Sequence, residues 1–297
     1  MTPLERFSCF FASLCHDAGH PGRTNPYVTK QQGYFNKTYG NDSPLEKHHV
    51  SIMHELIEQN STDLLGGLSV EDRATVVKNA EMLILATDMA KHGEIMKAVT
   101  TGLLENNETD PAVRKVLLMK TLMKAADINN VQRPWDSHER WCSVLHEEFH
   151  AQAADEKANG WPVSPPPVDP SADVTGGQVF FIGQIAKPLC NVLRTMLPEC
   201  QQQYDCLENN VERWTKINAR KKERVAKAAE TETAEGAGQA NGAGAGASNG
   251  AAASSGDAPP TAAAYDKHIG RMDESIARLR SALERVERVE AGLLATK

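Results

Sequence analysis

Two histidines and a carboxylate lie within five residues in the stretch His16-Asp17-Ala18-Gly19-His20, which a Pro-Gly turn follows. Adjacent His16 and Asp17 offer a divalent metal one imidazole nitrogen and one carboxylate. Because a carboxylate has two oxygens, Asp17 could also bridge to a second metal. The alternative without a metal-binding role is a helix terminus with a capping histidine and a solvated aspartate. If this stretch does bind a metal, further ligands must come from elsewhere in the chain, because a lone His-Asp pair holds a metal weakly.

Asp127 is the best candidate for a further ligand, since it ends an apolar helix predicted over 110–127. A carboxylate is poorly matched to the negative end of a helix dipole, and a bound metal would reverse that penalty. An ordinary residue at the end of a helix is the competing interpretation.

Two other polar side chains lie on otherwise apolar helices. Glu46 has the spacing of a capping box with Ser43, which is a complete structural explanation, although neighbouring His49 on the apolar face keeps a metal role open. Thr87 lies in a helix predicted over 69–89, where a buried threonine usually bonds a carbonyl of its own helix.

The predicted helix from about Asp136 carries histidines and large aromatic residues. Its histidines have the helical spacing of a metal pair but lie on a charged face, so they are expected to be solvated: His138, His146 and His150. The aromatic residues expected in the core are Trp141, Phe149 and, later in the chain, Trp214.

These residues are carried by a chain in which amphipathic helical runs recur and strand-like alternation is nearly absent, so the predicted class is all-α. Residues 1–220 are predicted to form packed helices, interrupted by a proline-rich loop over 161–170. Residues 221–264 are expected to be a basic to low-complexity Ala/Gly/Ser linker. Residues 265–294 predict an amphipathic helix that either forms a short coiled coil or folds back on the main domain.

The overall charge restricts the partners. A formal net charge of −7 argues against nucleic acid and anionic membrane as partners. The charge of a phosphate substrate would therefore have to be met locally, by metals. Six cysteines without a CxxC pair favour reduced thiols and a cytoplasmic location. No apolar run approaches the roughly 18 residues of a membrane span, and no signal peptide is evident.

Five segments, taken in order, resemble the catalytic domain of class I 3′,5′-cyclic nucleotide phosphodiesterases. They are residues 16–22 (HDAGHPG), 43–49 (SPLEKHH), 85–92 (LATDMAKH), 125–130 (AADINN) and 178–182 (QVFFI). The resemblance covers roughly residues 4–218. The second and third segments are most similar to the high-affinity cGMP-specific branch.

The resemblance implies a compact helical fold with zinc and magnesium, or manganese in place of magnesium, at the bottom of a pocket. Zinc would be bound by His16, Asp17 and Asp127, and Asp17 would also reach the magnesium. Around them, three side chains would hold the waters on the metals or the bridging hydroxide: His20, Glu46 and Thr87. For Glu46, capping and metal support can coexist.

The resemblance also implies how the base is bound. Gln178 would hydrogen-bond the purine edge, Phe181 would stack on the base, and Asn130 would line the pocket near the metals and the base. The implied reaction is hydrolysis of cAMP, cGMP or both, in which water attacks phosphorus, the 3′ P–O bond breaks and a 5′-nucleotide leaves. The orientation of the Gln178 amide would decide between the two bases, and the sequence leaves both open.

One part of the family pattern has no counterpart in the sequence. The family carries an HNxxH-type motif whose histidines supply the leaving-group proton and a fourth zinc ligand, and we expect it upstream of Met1. The chain then corresponds to about the later two-thirds of a catalytic domain. Without the earlier helices we expect exposed apolar faces near Phe7, Phe10 and Phe11, which favour association.

Two alternatives stay open. One is another HD-type metal phosphohydrolase, although a purine clamp at Gln178 and Phe181 argues against it. The other is a catalytically impaired, truncated regulator or scaffold that forms a homo-oligomer through residues 265–290.

Overall fold

The computed structural model describes residues 1–59, 64–164 and 174–238, with side chains described up to residue 227. Every regular element in these ranges is helical, which confirms the predicted all-α class. The α-helices are α1 Pro3–Cys15, α2 Asn25–Gln31, α3 Tyr34–Tyr39, α4 Pro44–Glu58, α5 Val70–Leu85, α6 His92–Val99, α7 Pro111–Asp127, α8 Trp135–Ala158, α9 Val174–Phe180, α10 Lys187–Met196 and α11 Gln201–Gly238. Short 3₁₀ turns include Met89–Lys91 and Asn129–Gln132, and π-helical turns continue α6 and α9.

Helix α1 begins with a capping box, in which the Thr2 hydroxyl accepts from the Glu5 amide and the Glu5 carboxylate accepts from the Thr2 amide. Its inner face packs on α5 around Phe11, in a core shared with α4 and α7. The expectation of an exposed face is correct for Phe7 and Phe10 and wrong for Phe11, which is buried against that core.

Helix α5 is shorter than the predicted span of 69–89. Ser69 caps its start by accepting from the Asp72 amide, as the sequence pattern indicates, but the helix ends at Leu85. Thr87 and Asp88 therefore lie in the turn between α5 and α6, where Asp88 accepts from the Ala90 amide.

A second core lies where α8, α10 and α11 meet the 3₁₀ turn Asn129–Gln132. The Asn210 side chain of α11 donates to the carbonyl oxygens of Val131 at 3.0 Å and Arg133 at 2.8 Å, which fixes this turn on α11. Trp214 is buried there, as predicted, whereas Trp141 is 59% exposed and its assignment to the core is wrong. Phe149 is only partly buried.

The buried face of α8 explains the error at Trp141. It is formed largely by polar residues, and the fully buried His138 contradicts the expected solvation of the α8 histidines. His146 and His150 are partly buried, with their rings 4.0 Å apart. Because His138, Gln152 and Glu156 find hydrogen-bond partners inside the protein, the side of α8 that contacts the core is polar rather than apolar.

Helix α11 continues past residue 220 to Gly238, so the first part of the segment expected as a linker, 221–264, is helical. Its Lys, Arg, Glu and Ala residues are good helix formers. The C-terminal amphipathic helix predicted over 265–294 and most of the proline-rich loop lie outside the described residues. None of the helices in the described part is both long enough and apolar enough to cross a membrane.

Candidate metal centre and nucleotide site

His16 lies immediately after α1, as the residue that caps its C-terminal end. Its Nδ1 donates to the Ser13 carbonyl oxygen at 2.8 Å, which fixes the ring and leaves Nε2 to face the site. Nε2 lies 3.4 Å from Asp17 Oδ2 and 3.4 Å from Asp127 Oδ1. The structure thus brings together one imidazole nitrogen and two carboxylates from residues 110 positions apart.

A second group shares Asp17 with the first and adds His20 and His49. His49 is buried on α4, and its Nδ1 donates to the Ala18 carbonyl oxygen at 2.7 Å. Its Nε2 lies 3.9 Å from Asp17 Oδ1. His20 stacks on His49, and the Gly22 amide donates to His20 Nδ1 at 3.1 Å, so the proton of a neutral His20 is on Nε2.

The pKa of His16 reflects the acidic groups that surround its ring. Burial alone lowers that pKa, but the hydrogen bond to Asp127, the charge of Asp17 and the Ser13 carbonyl together raise it to about 9. When His16 Nε2 carries no proton, three acceptor atoms face one another, and a proton on His16 or a bound cation relieves their repulsion. The donor set of one imidazole and two carboxylates suits zinc, and its carboxylates also suit magnesium.

Glu46 is buried at the start of α4, but it does not form the capping box that the sequence indicates. Ser43 has a left-handed backbone (φ 48°) and donates its hydroxyl to Asp88 Oδ2 at 2.7 Å. The cap comes instead from Asn25, whose Oδ1 accepts from the Leu45 amide at 3.0 Å and whose Nδ2 donates to Glu46 at 2.9 Å. Burial raises the pKa of Glu46, partly opposed by the Asn25 hydrogen bond.

Thr87 is buried just beyond the end of α5, and its hydroxyl donates to the Ile84 carbonyl oxygen at 2.7 Å. This agrees with the expected local bond. Lys124 is a buried lysine that the sequence analysis did not identify. Its ammonium group donates to the carbonyl oxygens of Ala86 and Thr87 and so fixes the turn that contains Thr87. Lys124 is one turn before Asp127 on α7, so the same helix positions a candidate ligand and the Thr87 turn.

Asn130 lies in the 3₁₀ turn after α7 and is partly exposed. His138 on α8, which sequence reasoning also missed as a site residue, contacts the Asn130 side chain. Gln178 and Phe181 lie at the junction of α9 and the following π-helical turn. Phe181 packs in the same apolar cluster as Val131, which places the base-binding candidates Asn130 and Phe181 on adjoining elements.

Residues 1–207 match the sequence profile of the family described as 3′5′-cyclic nucleotide phosphodiesterase. The chain belongs to this family. The class I cyclic nucleotide phosphodiesterase resemblance of the sequence is therefore confirmed. The family is metal-dependent, and the two residue groups around Asp17 are candidates for its metals.

Several phosphodiesterases are similar to this chain. A 3′,5′-cyclic-AMP phosphodiesterase, isoform F, of Drosophila melanogaster is 30% identical over 221 residues, which cover 70% of this chain and 33% of the relative. A high affinity cGMP-specific 3′,5′-cyclic phosphodiesterase 9A of the same organism is 35% identical over 199 residues, covering 66% of this chain and 13% of the relative. The chain therefore spans a third or less of these phosphodiesterases.

Among solved structures, LmjPDEB1 in complex with IBMX is 29% identical and superimposes with a TM-score of 0.68, covering 74% of this chain and 67% of that one. The helical architecture of the phosphodiesterase family is thus shared. The family match also favours the cyclic nucleotide phosphodiesterase family over another family of HD-type metal phosphohydrolases.

Proposed function

We propose that this chain hydrolyses 3′,5′-cyclic nucleotides, cGMP, cAMP or both, to 5′-nucleotides. The observation that carries the proposal is the convergence of His16 Nε2, Asp17 and Asp127 on one point, with Asp17 shared by a second group. A relative named as a 3′,5′-cyclic-AMP phosphodiesterase and a relative named as cGMP-specific are both similar to this chain, so both substrates remain candidates.

His16, Asp17 and Asp127 would bind zinc, and Asp17 would also reach magnesium or manganese. When bound, the two cations activate water at neutral pH and neutralise the charge that grows on the phosphoryl oxygens. This fits an acidic chain, because the substrate phosphate then needs no basic cluster.

Three further side chains would orient the water that attacks phosphorus. Neutral His20 carries its proton on Nε2, so that nitrogen can donate a hydrogen bond to the water. Glu46, whose carboxylate Asn25 holds, would accept a hydrogen bond from water near the metals. Thr87, which Lys124 supports through the backbone, would also accept from such a water, because its hydroxyl proton is already donated to Ile84.

The base would be bound by Asn130, Gln178 and Phe181. Phe181 supplies a flat apolar ring for stacking, and the two amides supply donors and acceptors for the purine edge. Sequence resemblance assigns the leaving-group proton to a histidine of an HNxxH-type motif, and the 297 residues contain no such motif.

The test is to load the full chain with zinc and magnesium and to follow 5′-AMP and 5′-GMP release from cAMP and cGMP. We expect turnover that falls at least about 100-fold in Asp127→Asn, together with loss of bound zinc in elemental analysis. Asp205→Asn, which changes an exposed carboxylate on α11, is the matched control and should retain both. Full activity and zinc content in Asp127→Asn would contradict the metal role, and no product from either nucleotide in the loaded wild type would contradict hydrolysis.

We also propose a cytoplasmic location, supported by six cysteines that are all free. Homo-oligomer formation through residues 265–294 remains part of the proposal and is supported only by their heptad-like spacing. Sedimentation of the chain with and without these residues tests it, and an unchanged number of chains per particle would contradict it.

A further inference from the structure

Helix α8 carries a pair of histidines that the proposed catalysis does not use. Residues 146–150 read HEEFH, which matches the pattern H-E-x-x-H, in which two histidines about one helical turn apart bind zinc on one face of a helix. The pattern needs a helix to bring its two imidazoles together, and α8 is helical from Trp135 to Ala158. The structure therefore supplies the local context that such a zinc site requires.

The rings of these two histidines, His146 and His150, lie against each other. Their centroids are 4.0 Å apart and their planes are inclined by 53°. Both residues are partly buried, although the charged surroundings predicted solvated side chains. Because packing already holds the two rings together, a cation that binds both has to order little more of the chain.

His150 also has a polar atom that the described residues leave unsatisfied. Its Nε2 is buried, and no hydrogen-bond partner for it is found in residues 1–59, 64–164 and 174–227. Buried polar atoms without a partner are few in folded proteins, and a bound ion is one way in which such an atom is satisfied. A cation held between the two imidazoles would give His150 Nε2 its partner.

The residues around the pair favour a cation and restrict its type. Glu147 and Glu148 lie between the two histidines in the chain, and their negative charge raises the local concentration of cations. Groups of three ligand atoms close together occur in the described part of the chain only around Asp17, so water would complete the coordination at α8. Imidazole ligands suit zinc, copper and nickel, whereas magnesium takes oxygen ligands.

We propose that His146 and His150 form a second zinc site on α8. The site shares no ligand with the two groups around Asp17 that are candidates for the catalytic metals. It therefore does not depend on the proposed function.

The experiment counts zinc in the full chain after the catalytic metals have been loaded. The protein is dialysed against buffers of rising micromolar free zinc, with magnesium in excess throughout, and its zinc content is measured by elemental analysis. His146→Phe and His150→Phe each keep an aromatic ring and remove the ligand nitrogens. His54→Phe is the matched control, because it changes a histidine of α4 that is 40% exposed and lies outside the pair.

We expect the wild type to bind about one zinc per chain more than either Phe variant of the pair, because one imidazole alone holds zinc weakly. The double variant should lose no more than each single variant, and His54→Phe should lose none. Asp127→Asn removes a different zinc, so its loss and that of His150→Phe should add. Wild-type zinc content in His146→Phe or His150→Phe, an equal loss in His54→Phe, or losses that do not add with Asp127→Asn would each overturn the proposal.

A measurement on the unsubstituted protein keeps the proposal testable if a Phe variant does not fold. In ¹H–¹⁵N NMR, the ring nitrogens of His146 and His150 should shift together as the further zinc is added, and the same concentration of magnesium should leave them unchanged. Unshifted rings, or an equal shift with magnesium, would overturn the site. If the loaded chain hydrolyses neither nucleotide, the proposed function fails, whereas the zinc count and the ring shifts still decide whether α8 binds zinc.

Discussion

The ammonium group of Lys124 donates to the Ala86 carbonyl oxygen at 3.0 Å, although only 2% of this lysine is exposed. The same nitrogen lies 3.3 Å and 3.5 Å from the carbonyl oxygens of Thr87 and Asp88, so its three protons meet three consecutive peptide groups. Burial lowers the pKa of Lys124, partly opposed by the nearby carboxylates of Asp127, Asp88 and Glu46. A charge from α7 thus fixes the turn that carries Thr87.

We expect Lys124→Met to lower the free energy of unfolding by about 2–4 kcal/mol, because the three carbonyl oxygens lose their donor inside the protein. Chemical denaturation measures this loss. Lys97→Met, which changes an exposed lysine of α6, should shift the free energy by less than about 0.5 kcal/mol. Equal stability of the Lys124 variant and the wild type would mean that the buried ammonium does not support the turn.

Zinc uptake should release a proton at neutral pH. In the metal-free protein the His16 pKa is raised to about 9, so Nε2 is protonated at pH 7, and a metal can bind it only after the proton leaves. Calorimetric zinc titrations in buffers of different ionisation enthalpy should give about one proton per zinc at pH 7 and clearly less above pH 9.

The same raised pKa predicts the pH dependence of metal-free stability. A histidine whose pKa is higher in the folded than in the unfolded state stabilises the fold fully below pH 6.5, and this contribution is lost as the pH rises through about 9. In Asp127→Asn the loss of stability between pH 6.5 and pH 9 should shrink, because the main partner that raises the His16 pKa is gone.

In the zinc titration described above, zinc uptake without proton release at pH 7 would show that His16 Nε2 is not a ligand.

Glu156 on α8 is fully buried and joins α8 to α2 and to Ser164. Lys30 donates to one carboxylate oxygen at 3.1 Å, and the Ser164 amide donates to the other at 2.7 Å. Burial alone raises the pKa of Glu156, but the bonds from Ser164 and Lys30 outweigh it and the pKa falls below its ordinary value.

We expect Glu156→Gln to lower the free energy of unfolding by about 2–4 kcal/mol at pH 7, since it leaves the Lys30 charge without its partner. An acid with a depressed pKa stabilises the fold above its unfolded value of 4.5, and this contribution is lost as the pH falls through the folded value. The wild type should therefore lose more stability than the variant below pH 4.5. Glu147→Gln, on the exposed side of α8, is the control, and an equal acid loss in the wild type and in Glu156→Gln would contradict the prediction.

The sequence alone predicts a helix correctly where the capping residues at its ends and the spacing of its apolar residues indicate the same range. Helix α7 begins after Asp110, which caps it by accepting from the Ala112 amide, and it ends at Asp127 as predicted. In α1 the apolar residues recur at helical spacing up to Leu14, and the helix ends at Cys15, directly before His16 and Asp17. These signals are local, so a single sequence contains them.

The predictions from sequence are wrong where the hydrogen-bond partner of a side chain is a residue distant in the chain. Ser43 fits a capping box, but Asn25 takes that role and Ser43 binds Asp88. Lys124 and His138 look like surface residues, because charged and polar groups are seldom buried without partners and the partners are not visible in the sequence. Helix periodicity identifies an apolar face well and a hydrogen-bonded polar face poorly.

The outer face of α1 provides a last prediction, about association. Phe7, Phe10 and Leu14 recur at helical spacing and are 38%, 61% and 67% exposed, so they form one apolar stripe within the described residues. An exposed stripe of this kind drives self-association, whereas it contributes little to the core that Phe11 fills. We expect Phe10→Gln with Leu14→Gln to change the free energy of unfolding by less than about 0.5 kcal/mol per residue and to reduce the mean particle mass in light scattering. Val70→Gln, at a 90% exposed position on α5, is the matched control because it removes an exposed apolar side chain outside the stripe. If the control and the α1 variant reduce association equally, the stripe is not the contact surface, because general surface polarity would then account for the change.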